Sequence, residues 1–452
     1  MNNQVLSERL LNTTGVQANM AKHANRIRIA ESIAKKANRP TLTLESKAAL
    51  ATCLENTRKI CEATNASMLP SKTFFLDMVA SVIPNTIASD IVSVQAMDAK
   101  AGMISYLRFV YGTNKGKVKA GQMFNNSLYH GTSDPEYSSR QITGEPLVTG
   151  VSLSSVPVLA DTLSVVGADG NEIAYTVADG VATLENGVTI NLTTGEVAST
   201  EDANVEITVD DNIAVNYEYN NEDAPVDVPE INLELAQLPI FAKSRKLAAY
   251  WGFDAAYDLK QQYGEDVTSL MASQAAGEIS YEIDTEICLD LYRQAGSEME
   301  PWSKTQPMGV NLVDHYDSFW AKLTEGANRM VGITQRFTPN FIICGINVAA
   351  VIEVMRNFTA AAASNAVGPH LIGTLGGKYK VYVVPQMDAD AYVLGYKGSN
   401  FLESGYVYAP YMPVLSTQIL TMANFQGQQG YATSYGKRMV NNKLYIRGKI
   451  TA

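Results

Sequence analysis

Val267 to Gln294 reads VTSLMASQAAGEISYEIDTEICLDLYRQ, and this stretch decides the fold. Its apolar positions are Leu270, Met271, Ala275, Ile279, Ile283, Ile287 and Leu291. Side chains four apart share one face of an α-helix, so the last four of these form a single stripe to be buried. Gly264 interrupts the pattern upstream, and Asp266 offers a side-chain oxygen as N-cap. A helix of about 28 residues is about 42 Å long, more than twice the average length. It is expected to run along the subunit as a structural spine. Glu278, Glu282, Glu286 and Asp290 form a second stripe beside the first. Four carboxylates on one face raise the question of a metal. Carboxylate metal sites in bundles, however, want Glu-x-x-His pairs on facing helices, and this helix contains no His. The stripe reads as an acidic edge facing solvent or a neighbouring subunit.

Upstream, Leu233 to Trp251 reads as an extended strand. Before it, no Lys or Arg occurs between Arg140 and Lys243. That acidic stretch alternates with period two at Leu163–Val166, Ile173–Val177, Val181–Leu184, Val188–Leu192, Val205–Val209 and Ile213–Tyr219. The separators Asp169-Gly170, Asp179-Gly180, Asn186-Gly187 and Thr194-Gly195 suit tight hairpins. Residues 150–228 are therefore expected to form an acidic all-β insertion domain. Ser105–Tyr111 alternates as a strand, and 105–149 continues as an extended loop, with 229–250 its return. Residues 1–66 differ from the rest: they are basic and helical, with apolar positions at Ile27, Ile33 and Ala34 and again at Leu44, Ala48 and Ala51. Downstream, Phe341–Cys344, Tyr379–Val384, Ala391–Leu394, Tyr406–Tyr408 and Leu444–Ile450 read as strands and Val348–Phe358 as a helix. Together these give an α+β chain.

Composition narrows the function. The 452 residues carry a formal charge of −11, which disfavours free nucleic acid as the main partner. Cys53, Cys61, Cys288 and Cys344 include no CxxC pair, the sparse usage of a reducing compartment. No apolar run approaches the ~18 residues of a membrane span, and no signal-peptide core opens the chain. Gly373-Thr374-Leu375-Gly376-Gly377-Lys378 has the look of a phosphate loop. It lacks the glycine spacing of a Walker loop and the Ser/Thr after the Lys, and reads instead as a turn. His23, His130, His315 and His370 are scattered, and Asp314-His315 is only an adjacent pair. No nucleophile elbow, catalytic pairing, cofactor motif or metal spacing emerges.

Several blocks then give a resemblance. Ala242-Lys243-Ser244-Arg245-Lys246-Leu247-Ala248-Ala249-Tyr250, Tyr257-Asp258-Leu259-Lys260 and Glu278-Ile279-Ser280-Tyr281-Glu282-Ile283 are similar to major capsid proteins of T-even-like myoviruses. So are Leu375-Gly376-Gly377-Lys378-Tyr379-Lys380-Val381-Tyr382, Gly395-Tyr396-Lys397-Gly398, Gly405-Tyr406-Val407-Tyr408-Ala409-Pro410-Tyr411 and Tyr435-Gly436. The likeness covers roughly 70–110 and 233–436 and leaves the β insertion outside it.

That resemblance implies the Hong Kong phage capsid fold and a non-enzymatic shell subunit. It implies an N-arm over 67–104, a peripheral domain with the spine helix over 251–339, an axial domain over 340–418, and a return to the peripheral domain over 419–452. The implied partners are copies of the chain in hexameric and pentameric capsomers, other capsid proteins, scaffold, portal, and encapsidated DNA met non-specifically on the inner face. Membrane and cofactors are not among them. A paralogous vertex protein forming pentamers and a bacterial compartment shell of the same fold are the alternatives. Assembly is expected in the host cytoplasm and residence in the virion head. Relatives shed an N-terminal propeptide after Leu/Ile-x-Glu. Leu6-Ser7-Glu8 and Ile29-Ala30-Glu31 fit that triplet, but none stands just before Ser67, so an uncleaved or lightly trimmed N-terminus is expected. Lys243, Arg245 and Lys246 follow the base-free stretch and are candidate inter-subunit contacts, pairing with Glu278, Glu282 and Glu286 of an adjacent subunit.

Overall fold

The computed structural model describes residues 14–36, 42–63, 87–116, 118–121, 123–124, 137–199, 207–208, 211–220, 229–264, 266–334, 337–361, 368–398, 405–421 and 426–451. They fall into two compact units, one of Met1–Tyr106 with Ala236–Ala452 and one of Leu107–Leu235.

Among the described residues of the first unit the α-helices are α1 (Thr14–Lys22), α2 (Ala24–Lys36), α3 (Leu44–Ala63), α4 (Ala88–Ile91), α5 (Phe253–Tyr263), α6 (Val267–Arg293), α7 (Leu312–Thr334) and α8 (Ile346–Val354). Of its strands we label β1 (Ser93–Val94), β2 (Lys243–Gly252), β3 (Ser297–Glu298), β4 (Trp302–Ser303), β5 (Phe341–Cys344), β6 (Phe358–Ala360) and β7 (His370–Leu375). Further along lie β8 (Tyr379–Val383), β9 (Ala391–Gly395), β10 (Tyr406–Ser416), β11 (Leu420–Thr421), β12 (Gln426–Met439) and β13 (Tyr445–Thr451).

The expected spine helix is α6. Gly264 ends α5 in the left-handed region at φ 68°, and the Asp266 carboxylate accepts the Thr268 N–H at the start of α6. Ala275, Ile279, Ile283, Ile287 and Leu291 are buried, as their spacing requires. Leu270 is exposed and Met271 half-buried, and the buried face of that first part of the helix is carried by Val267 and Ala272 instead.

An eight-stranded sheet, ordered β3-β13-β9-β5-β8-β7-β6 with β4 also on β13, forms the middle of a helix–sheet–helix stack. Every residue of β5 is buried, as expected for a short strand covered on both faces. Phe341 and Ile343 point to the α6 side with Val393, while Ile342 and Cys344 pack with Phe319, Leu323 and Met330 of α7 and Val348 and Ile352 of α8. The Gly376-Gly377 turn joins β7 to β8 with φ 58° and 65°, the left-handed pair that a tight hairpin turn demands. A five-stranded sheet, β1-β10-β12-β2 with β11 on β12, packs on the same face of α6: Tyr406, Tyr408, Val414, Tyr431 and Tyr435 share one core with Ile279, Ile283 and Ile287.

Four expectations change here. The helix expected over Val348–Phe358 is α8, which starts earlier and stops at Val354, and Phe358 opens a strand. The strand expected over Tyr406–Tyr408 runs on to Ser416, carrying Pro410 and Pro413 at register shifts against β12; bulges are where a strand tolerates proline. The division at 418/419 does not follow the sheets. β10 lies in the five-stranded sheet, and the last strand, β13, pairs with β9 inside the eight-stranded one. The extended strand expected over Leu233–Trp251 is two strands, Ile231–Phe241 and β2.

The described residues of the second unit form β-sheet, with one short 3-10 turn at Ala160–Thr162. One sheet is ordered Gln141–Pro146, Ala214–Glu218, Ser164–Val166, Glu172–Ile173, and the other Val197–Ser199, Val188–Asn191, Val181–Leu184, Tyr175–Ala178. Leu147, Val165, Ala182, Val188, Ile190, Val215 and Tyr217 fill its core. Asp179 and Gly180 take φ 51° and 76°, the hairpin turn expected of that pair. The unit is wider than 150–228 because Gln141–Pro146 pairs with Ala214–Glu218. Residues 207–208 of the strand expected over Val205–Val209 are not in a strand, and the rest of it lies outside the described residues.

Candidate functional site: a charged brace on the spine helix

Period-two alternation puts Arg245 and Ala249 of β2 on the face that meets α6, and Ala249 packs against the core there. β2 runs antiparallel to β12, with Arg245 opposite Thr433 and Lys243 opposite Tyr435. The next outward positions on β12, Tyr435 and Lys437, therefore lie beside Arg245 over the same helix face. The helix supplies carboxylates at the matching rise, since residues four apart climb about 6 Å along one face.

The contacts are specific. Arg245 Nη1 lies 2.9 Å from Glu282 Oε2, and Nη2 2.5 Å from Glu286 Oε2. Lys437 Nζ lies 2.7 Å from Glu286 Oε1 and 2.5 Å from Asp290 Oδ2. The Tyr435 hydroxyl donates to Glu286, and the Tyr406 hydroxyl donates to Asp290 at 2.9 Å. The Arg245 guanidinium also stands 5.7 Å from the Tyr435 ring centre. Partial burial pushes the Glu286 carboxyl up, but hydrogen bonds from Lys437 and Tyr435 and the Lys437 and Arg245 charges outweigh it and hold it below the usual range. Burial, and then Glu286, hold the Tyr435 phenol up. Three carboxylates of the row, Glu282, Glu286 and Asp290, are thus held by two cations and two phenols. A shared network of this kind orders its members together more cheaply than isolated surface pairs do.

Arg245, Glu282 and Glu286 accordingly find one another inside the subunit, where the sequence reading puts their partners on an adjacent one. The cause is the β2–β12 register, which brings Arg245 over the second turn of the stripe. Lys246 falls on the opposite face of β2. Lys243, Lys246 and Glu278 are exposed and have no ion-pair partner among the described residues. Sequence reasoning missed Tyr435, Lys437 and Tyr406. It also missed Asp284, whose buried carboxylate accepts the N–H groups of Ile87 (3.0 Å) and Ala88 (3.2 Å) and fixes the start of α4 to the spine. The available signal was its place off the line of Glu282 and Glu286, next to the apolar stripe of Ile283 and Ile287.

The remaining candidates disperse. Asp314 bonds Arg356, whereas His315 stacks on Trp302 at 4.8 Å and bonds the Ser303 carbonyl. His370 bonds the Gly368 carbonyl, and His130 lies outside the described residues. Cys53, Cys288 and Cys344 are buried free thiols, with Cys53 pushed up by burial to about 12. Among the described residues no group of His, Cys, Asp and Glu is arranged to hold a metal, and no helix is long and apolar enough to cross a membrane.

Helices packed on largely antiparallel and mixed sheets make this an α+β fold. The sequence model of the family described as major capsid protein Gp23 matches residues 71–452, a span that includes the acidic β unit left outside the likeness above. The chain is 27% identical over 396 residues to the major capsid protein of Enterobacteria phage T6, covering 80% of this chain and 76% of that one. It is 28% identical over 395 residues to the major capsid protein of Enterobacteria phage T4, covering 80% and 74%. Among solved structures, the capsid of Myoviridae phage XM1 overlaps with a TM-score of 0.36 and 8% identity, covering 52% of this chain and 81% of that one. The assignment rests on the sequence matches: this chain belongs to the Gp23 major capsid protein family. Its place is the head shell of a tailed phage and its role is structural, not enzymatic.

Proposed function

We propose that the chain adopts the Hong Kong phage capsid fold and builds hexameric and pentameric capsomers that close into an icosahedral shell. The carrying observation is β2: an edge strand ten residues long, braced from behind by α6, with its other edge unpaired by any described strand. Lys243, Lys246, Leu247 and Tyr250 of this strand are exposed, as are Phe253, Tyr257 and Tyr263 of α5. An open edge flanked by exposed aromatics is a liability in a lone subunit and an asset in one that meets copies of itself. In this reading the five-stranded sheet with α6 is the peripheral part and the eight-stranded sheet the axial part. Lys243, Lys246 and Glu278 are the contact residues left free for neighbours. Scaffold and portal guide assembly in the host cytoplasm, and the basic N-terminal helices face DNA on the inner surface. Expression with scaffold and portal should yield closed shells or capsomer rings in negative-stain electron microscopy. A chain that stays monomeric under all assembly conditions would refute the reading.

The N-terminal helices belong to this architecture. Ile29-Ala30-Glu31 lies within α2, with Ala30 fully buried and Glu31 2.6 Å from Lys47, so the triplet is not presented as the extended segment a protease needs. Leu6-Ser7-Glu8 lies outside the described residues. α1 is locked to α3 through Glu55, which takes Arg58 (2.5 Å), His23 (3.2 Å) and Lys22 (3.8 Å). The Arg58 hydrogen bond, then those of His23 and the nearby charges, outweigh burial and hold the Glu55 carboxyl down at about 2. Burial lowers His23 from 6.5 despite Glu55, and Arg26 and Arg58 add to the lowering. The two shifts act with the same sign. The unfolded chain protonates His23 near 6.5 and Glu55 near 4.5, before the folded chain does. Stability is therefore full above neutral pH and falls as acid is added, most steeply from about 5 down to about 2. The melting temperature of the parent should fall through this window by more than that of Glu55→Gln. Parallel curves would show that the lock contributes nothing.

A further inference from the structure

A cavity of about 380 Å³ lies between the first turn of α3 and the β7–β8 hairpin. Its wall is unusually cationic for a protein of net negative charge: Lys378, Lys380 and Lys397 line it against one carboxylate, Asp90. Lys397 is fixed at the floor. Its N–H donates to Asn340 Oδ1 at 3.0 Å, Asn340 Nδ2 donates back to its carbonyl at 2.8 Å, and its ammonium donates to the Ser89 carbonyl. Burial lowers the pKa of Lys397; Glu45 and Asp90 oppose this and Lys380 adds to it. Lys380 and Lys378 are exposed at the mouth and have no carboxylate partner among the described residues. Lys378 is further localised, its ammonium 5.1 Å from the Tyr379 ring centre. The opposite wall is the start of a 20-residue helix, where Thr43 accepts the Ser46 N–H and both hydroxyls face each other at 3.0 Å. The positive end of that helix adds to the lysine field.

Like charges gathered around a void are stabilised by an anion that accepts from all of them, and a tetrahedral oxyanion presents acceptors in enough directions to do so. We propose that this cavity is a phosphate-group site, held by Lys378, Lys380 and the α3 start, whose occupant staples α3 to the eight-stranded sheet. The same chemistry is offered by a small soluble phosphate and by the backbone of duplex DNA.

The test is isothermal titration of the full chain with inorganic phosphate at fixed ionic strength, against the exposed-site double variant Lys378→Gln, Lys380→Gln. Phosphate should bind the parent and raise its melting temperature by mass action. The variant should bind about tenfold more weakly or worse while melting normally without phosphate. A short duplex that displaces phosphate from the parent would assign the ligand to nucleic-acid backbone, and one that does not would assign it to a small phosphate. Phosphate binding that is undetectable, or identical in parent and variant, overturns the site, whatever the particles look like in the microscope.

Discussion

Arg245→Glu is expected to abolish shell formation and to weaken the subunit itself. The substitution removes the only cation that touches both Glu282 and Glu286 among the described residues, and puts a third carboxylate against them. Because Arg245 is 35% and Glu282 50% exposed, solvent screening must be discounted. Each lost pair is worth well under 1 kcal/mol at such a surface, and each new like-charge contact costs a similar amount. Two of each give a destabilisation of about 2 kcal/mol, or a few degrees in Tm. The larger effect is positional. Without Arg245, β2 keeps its ladder to β12 but loses its fixed distance from α6, and the open edge of β2 is the surface proposed to meet a neighbour. Particle counts by electron microscopy should fall at least tenfold. Lys243→Glu and Lys246→Glu test the other half of the argument. They should leave the melt unchanged, because neither side chain has an ion-pair partner among the described residues, and still reduce particle yield. If Arg245→Glu melts like the parent, the brace is ornamental. If the lysine variants assemble normally, those residues are not inter-subunit contacts.

The contrast between Arg245 and its neighbours shows what a sequence can and cannot carry. The spine helix was legible because its signal is local: Gly264, Asp266 and isoleucines four apart specify its start and its buried face without reference to anything else. The hairpins of the acidic unit were legible for the same reason, since Asp179-Gly180 dictates a turn by its own backbone preferences. The brace was half legible. Its carboxylate row is periodic and visible, but its partners depend on the β2–β12 register, a pairing across nearly two hundred residues. β12 conceals itself further: QGQQGYATSYGKRM has little alternation and several glycines, and its strand state comes from two neighbours bonded along its length. α7 is a different case. Its His315, Phe319, Leu323 and Ala327 stand four apart, with Met330 completing the buried face, so its helical signal is local and present in the sequence. The sheet membership of β13 was never legible, because a final strand can add to any sheet with a free or splittable edge.

The second large effect is expected at Ile287, which is fully buried in the core that α6 shares with both sheets of the first unit. Phe341, Ile343 and Val393 reach this core from the eight-stranded sheet, and Tyr406, Val414 and Tyr431 from the five-stranded one. Ile287→Val removes one methylene and should cost about 1 kcal/mol, seen as a shift of the urea midpoint at constant slope. Ile287→Asp removes the whole apolar side chain and places a carboxylate beside Glu286 in a site lined by hydrocarbon and tyrosine rings. The lost burial alone is about 2–5 kcal/mol, and an unpaired buried charge adds several more. The sum approaches the whole stability of an ordinary domain. Soluble Ile287→Asp protein should be nearly absent, and no particles should form. The informative comparison is between probes of the two sheets in Ile287→Val. Trp320 lies against Tyr379 of the eight-stranded sheet, and Trp251 lies on β2 of the five-stranded one. If the spine fuses the sheets into one cooperative body, fluorescence from single-tryptophan versions must report the same shifted midpoint at both positions. Separate midpoints would mean that α6 merely touches two independent domains, and the brace at Arg245 would then be a local tie between β2 and α6, with β2 held to its own sheet by the ladder to β12.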